Sequence, residues 1–148
     1  MRAYQQTDRY KDDRVYGVSS EARLLPMLQR CFARDLVHSP GRYSTFDFVG
    51  ATCAVELKAR RCKKDTYSET MIGANKIQKM MLLDEKRRCY CVFSFTDGDF
   101  FVEITPEIVK QSRLSSGGRC DRGQIERQMY RFIPVNLLSP LELPSDDK

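Results

Sequence analysis

"FDFVGATCAVELK", residues 46–58, is the stretch on which the fold turns. It reads as two short strands around a tight turn, with Gly50-Ala51 as the central pair of a type II′ turn, where glycine is favoured first. Val49 then faces Thr52 and Asp47 faces Ala54. Strand side chains alternate, and cross-strand partners share a face. Asp47, Glu56 and Lys58 therefore fall on one face, while Phe46, Phe48, Cys53, Val55 and Leu57 fill the other. In this pairing Asp47 and Glu56 are diagonal neighbours, with Cα atoms roughly 7–8 Å apart. Two carboxylates so placed repel and call for positive charge. Lys58 alone could supply it on a solvated sheet face. So could a hard divalent cation, which takes carboxylate, carbonyl and water oxygens.

The rest of the chain bounds what this hairpin belongs to. At 148 residues, with 41% hydrophobic and 30% charged residues, it has the length and mix of a single globular domain with a real core. No apolar run approaches the roughly 18 residues of a membrane span. The opening "MRAYQQTDRYKDDRVY", residues 1–16, lacks the apolar region of a secretory leader. An intracellular location (cytoplasm or nucleus), without secretion or membrane insertion, is the expectation. The six cysteines at 31, 53, 62, 89, 91 and 120 form no C-x-x-C pair, and His38 is the only histidine. That pattern excludes the usual zinc spacings and leaves reduced, packed thiols.

Residues 1–18 are polar and read as an N-terminal arm to a domain spanning 19–148. Ser19 or Ser20 can cap a helix beginning near Glu21, with Leu24, Leu28, Cys31 and Phe32 on one stripe. Pro26 predicts a kink or a later start. "HSPGR", 38–42, reads as a loop. The hairpin strands follow at 43–49 and 52–60, then a basic loop over 61–68. Residues 69–84 read as a helix with Ala74, Ile77 and Met81 inward, despite Gly73. Asp97-Gly98 marks a second hairpin between "RRCYCVFSF" and "FFVEI". Thr105-Pro106-Glu107 opens a helix with a cap, a first-turn proline and an acid. "SSGGRCDRGQ", 115–124, reads as a loop, and "YRFIPVNLL", 130–138, as a final strand. Helices alternating with strands in this order predict an α/β fold: one domain, with a central mixed β-sheet flanked by helices.

Charge is concentrated rather than spread. The net charge is +5. Between Glu56 and Tyr90 there are ten Lys or Arg against five Asp or Glu, including "KARRCKK" at 58–64, and Arg113, Arg119, Arg122, Arg127 and Arg131 form a second group. Basic clusters of this kind suit a phosphate-bearing partner, or simply a solvated surface.

The stretch "STFDFVGATCAVELKAR", 44–60, resembles the core motif of the PD-(D/E)xK nuclease superfamily, in which an acid on one strand precedes acid-x-lysine on the next. The resemblance covers about residues 19–95. Glu21 resembles the extra helical acid of archaeal-type Holliday-junction resolvases, and Gln78, Lys76 and Lys79 lie in the helix where the family carries a glutamine or lysine. Phe46 stands where proline often precedes the acid. Leu82 stands where RecB-like exonucleases have tyrosine, which argues against that subgroup.

The resemblance implies a restriction-endonuclease-like αβββαβ core. It also implies Mg²⁺ or Mn²⁺ held by Asp47, Glu56 and the Leu57 carbonyl, with Glu21 direct or through water. Lys58 and Gln78 would be catalytic. Arg60, Arg61, Lys63, Lys64, Lys76 and Lys79 would grip nucleic-acid phosphates. The activity implied is a metal-dependent endonuclease, with DNA favoured over RNA and a homodimer as its expected assembly. A ribonuclease of the same fold and a non-catalytic nucleic-acid-binding subunit are the alternatives.

Overall fold

The computed structural model describes residues 20–39, 46–83, 87–119 and 126–143. The N-terminal arm and Cys120 lie outside them. A helix over 20–31 (α1) leads into β1 (Val37–His38), β2 (Phe48–Val49) and β3 (Cys53–Ala59). β4 (Glu69–Gly73) runs directly into α2 (Ala74–Met81), and β5 (Arg88–Phe95) and β6 (Gly98–Glu103) make a hairpin. α3 (Pro106–Gln111), β7 (Arg113–Arg119), β8 (Glu126–Pro134) and β9 (Ser139–Pro140) complete the chain.

The strands form two sheets: six in the order β1-β2-β3-β5-β6-β9 and three in the order β4-β8-β7. β1, β2 and β3 are an antiparallel meander, and β5 returns parallel to β3 after α2. Leaving out β4, which belongs to the small sheet, the order α1, β1–β3, α2, β5 is the αβββαβ order of a restriction-endonuclease-like fold, and the large sheet is mixed. β3 and β5 sit at its centre, and their apolar runs suit strands buried on both faces.

One face carries Phe48, Cys53, Val55, Leu57 and Val92 against Leu24 and Leu28 of α1. Each such fully buried side chain contributes about 1.5–3 kcal/mol. Ala54, Cys89, Cys91 and Phe93 meet Ile72, Ile77, Met80 and Ile133, from α2 and the small sheet, on the other face. Phe46 joins this second cluster, not the first. α1 runs through Pro26 to residue 31 without a break. It is tied down at the far side by Arg23, whose guanidinium donates to Asp99 at 3.1 Å and to Ser94 Oγ at 3.0 Å.

Several expectations are corrected. The first hairpin pairs Phe48 with Val55 and Val49 with Ala54, two residues out from the sequence reading. Gly50 N donates to Cys53 O at 2.9 Å, so Ala51 and Thr52 form the turn, and Gly50 has no positive φ. The cause is Asp35. Its carboxylate accepts from Ala51 N at 2.8 Å, and a Cβ on Gly50 would lie 2.7 Å from Asp35 Oδ1. Glycine is needed there for close approach, not for its dihedral freedom.

Residues 69–73, read as helix, form β4. Thr70 and Ile72 point inward with period two, and the helix starts only after Gly73. Its inward residues are Ile77 and Met80, while Met81 is exposed. Much of the stretch read as a loop after α3 is strand β7, paired along its length with β8. His38 belongs to β1 rather than a loop. The Thr105 cap of α3 holds as expected, its hydroxyl accepting from Ile108 N at 3.3 Å. The five described cysteines are free.

Candidate active site

The corrected register changes the geometry of the acid pair. One step beyond Phe48–Val55 sets Asp47 directly opposite Glu56, rather than diagonal to it. Asp47 Oδ2 accepts from Leu57 N at 2.8 Å, and Asp47 O accepts from Ser39 N at 2.9 Å. Asp47 is thus pinned between β1 and β3. Glu56 lies on the β3 face covered by α2 and the small sheet, and is only 2% exposed. This is no solvated sheet face.

Lys58 Nζ stands 3.5 Å from Glu56 Oε2, and Lys76 Nζ, from α2, stands 3.7 Å from the same oxygen. Glu56 Oε1 is buried with no hydrogen-bond partner. Burial first, and the Asp47 charge second, push Glu56 up to about 7, against the pull of the two lysines. Glu21, in the first turn of α1, completes the group. Its Oε2 lies 3.0 Å from His38 Nε2, and burial together with nearby Asp47 raises its pKa. The Glu21 contact raises that of His38 in turn.

The fold therefore brings Glu21, Asp47, Glu56, Lys58 and Lys76 together. It does not bring Gln78. With Ile77 and Met80 inward, Lys76 lies on the flank of α2 toward Glu56, whereas Gln78 and Lys79 are exposed. In the basic run, Arg61 and Lys63 are exposed. Arg60 instead donates to Met71 O at 2.7 Å, joining β3 to β4. Lys64 pairs with Asp65 at 3.2 Å and lies over the Phe100 ring. His38 is the member that sequence reading missed, since a two-residue strand leaves no periodic signal. Its ring meets Phe48 edge-on at 5.5 Å.

Among the described residues, no three His, Cys, Asp or Glu side chains converge as a ready-made metal cage. The donors nonetheless fit a hard cation. Two carboxylates face each other across the hairpin, one oxygen is buried without a partner, and the Leu57 carbonyl follows in the same strand. No helix of the described residues is long and apolar enough to cross a membrane. No curated protein matches the sequence. Residues 43–140 match a family described as "Phage putative PDDEXK endonuclease", a span that holds Asp47, Glu56, Lys58 and Lys76 and covers more than half of the chain. The chain belongs to this PDDEXK endonuclease family, and is a nuclease of the PD-(D/E)xK superfamily.

Proposed function

We propose that the protein is a divalent-metal-dependent endonuclease hydrolysing phosphodiester bonds in DNA. The buried Glu56 carries this reading: one oxygen without a partner, the other facing two ammonium groups, and a second acid opposite. A carboxylate buried this way costs several kcal/mol unless something compensates it. Asp47, Glu56 and the Leu57 carbonyl would hold Mg²⁺ or Mn²⁺, with Glu21 reaching the ion directly or through water. When bound, the ion supplies Lewis-acid polarisation of the phosphate and an acidified water.

The chain's own groups do the rest. Lys58, whose side chain is 37% exposed beside an almost wholly buried Glu56, donates to the attacking water or to charge building on the phosphate oxygens. Lys76 is a second donor from α2. It exchanges its contact with Glu56 for one with the substrate phosphate. Without a cation, the proton held on Glu56 near neutral pH relieves its repulsion with Asp47. Arg61, Lys63 and Lys79 lie exposed and hold the backbone of the nucleic acid away from the reacting bond. A two-fold dimer would give each duplex strand its own site. A monomer by light scattering at full activity would remove it.

The test is incubation with labelled linear, branched and single-stranded DNA and RNA, in Mg²⁺, Mn²⁺ or EDTA. Internal cuts in DNA are expected with either ion and none in EDTA. Undiminished cleavage by Glu56→Gln would sink the assignment to this site.

A further inference from the structure

The small sheet is longer than the core it covers. β4 pairs with β8 only from Pro134 back to Tyr130, where Gly73 ends the strand and α2 begins. β7 and β8 continue together for four more pairs, from Ser116–Met129 to Arg119–Glu126. That overhang is a two-stranded ribbon about 13 Å long. It leaves the body at the start of α2, whose first turn holds Lys76 at 3.7 Å from Glu56. It continues in the direction of β4 beyond the point where the chain turns from Gly73 into α2.

Its two faces differ. The face that buries Thr70, Ile72 and Ile133 against the core continues outward as Leu114, Arg131 and Met129. Leu114 and Met129 are each 47% exposed, although they share a face with core residues. Exposed apolar side chains in line with a buried face mark a surface made to be covered. Charge points to the cover: the 113–131 stretch carries five arginines against two acids, and Arg131 lies on this same face. Arg113 is taken by Glu69 at 2.8 Å and by the Phe132 ring, but no acid of the described residues is placed against Arg131. On the opposite face Gly117 gives way to the Tyr130 ring, where an added Cβ would come within 2.8 Å.

We propose that the β7–β8 ribbon is a groove-docking arm for duplex DNA, its Leu114–Met129 face turned toward the double helix that lies across the site. The inference rests on the nuclease reading and adds to it the surface that docks a duplex. The major groove of B-form DNA admits a two-stranded β-ribbon, with apolar side chains meeting thymine methyls and arginines meeting base edges or phosphates. The deep, narrow major groove of an A-form RNA duplex does not.

The test measures binding by fluorescence anisotropy in EDTA, so that it does not depend on cleavage. The probes are a 30-base-pair DNA duplex, the RNA duplex of the same sequence, and single-stranded DNA. The wild-type protein should hold the DNA duplex at least tenfold tighter than the RNA duplex. Leu114→Ser/Met129→Ser should lose tenfold or more on the DNA duplex, and Arg131→Ala should lower the log–log salt slope by about 1. To keep the result independent of folding, a photo-crosslinking benzoylphenylalanine at position 129 should capture the duplex, and one at position 110, on α3, should not. Equal binding of DNA and RNA duplexes, unchanged binding by the double variant at an unchanged melting temperature, or no capture from position 129 would each overturn the proposal. A protein that binds duplex DNA in this way but never cleaves it would instead fail the nuclease reading alone.

Discussion

Glu56 ties the chemistry of the site to the stability of the fold. Its pKa stands at about 7 in the folded chain, against 4.5 for an ordinary glutamate. Between those values the folded protein holds a proton that the unfolded chain has released. Stability without a cation should therefore fall as pH rises from about 4.5 through 7. At 1.36 kcal/mol per unit the loss is at most roughly 3 kcal/mol. Glu56→Gln removes the titrating group, so its melting temperature in EDTA should exceed that of the wild type at pH 8 and approach it at pH 5. The reverse order would mean that Glu56 is a structural ion pair with the lysines. The two helix residues separate as sharply. Lys76→Ala should lower cleavage at least tenfold, and Gln78→Ala should change it less than twofold. Equal losses would return Gln78 to the site. The acids and Lys58 were legible because strand alternation survives a register error of two residues, which keeps parity and hence the face. The choice between Lys76 and Gln78 was not legible, because it depends on where the helix begins, and Gly73 gives no sign of a strand ending there.

At the scale of elements, the first hairpin is held by a residue outside it. Asp35 accepts from Ala51 N and fills the space a side chain on Gly50 would need. Asp35→Ala removes a charge-assisted hydrogen bond and should cost about 1–2 kcal/mol. Gly50→Ala should cost a similar amount, by forcing the carboxylate off Ala51 N. The two losses should not add, because both break one contact. Additive losses in urea titrations would show that Gly50 serves something else. Reading the turn as glycine-first failed for this reason: the sequence pattern carries local dihedral preference, and here a contact from 15 residues upstream decides. β4 and β7 were misread on similar grounds. "ETMIG" has too few β-branched residues to outvote the helix beside it, and the Ser-Ser-Gly-Gly of β7 is turn-like by composition. Each becomes strand by pairing with β8, which lies far along the chain from β4 and is the next strand after β7. β5 needed no such partner, since its run "CYCVFSF" is largely apolar on both faces, whereas Glu56 and Lys58 interrupt β3 and left its second face open in the sequence.

At the scale of the molecule, the site is a seam. Asp47 and Glu56 come from the meander, Lys76 from the layer below, and Glu21 from α1 on the opposite side of the sheet. An ion bridging Asp47 and Glu56 would therefore clamp parts that otherwise repel, and binding only the folded chain it would stabilise the whole. At a hundred times the dissociation constant that gain is about 2.7 kcal/mol. For a domain of this size it amounts to roughly 5–10 °C in melting temperature. Mg²⁺ or Mn²⁺ should produce the rise at pH 8, where Glu56 is ionised, and little of it at pH 5.5, where the proton competes for the same oxygen. Asp47→Asn and Glu56→Gln should abolish the rise, having each removed a ligand. Lys58→Ala should keep or enlarge it, because the ammonium it removes repels the ion. That split separates ligands from the group that acts on substrate, and it needs no cleavage assay. Scanning calorimetry in Mg²⁺ and in EDTA decides it: identical curves at pH 8 would mean that the lysines alone answer the two acids, and that no cation belongs between them.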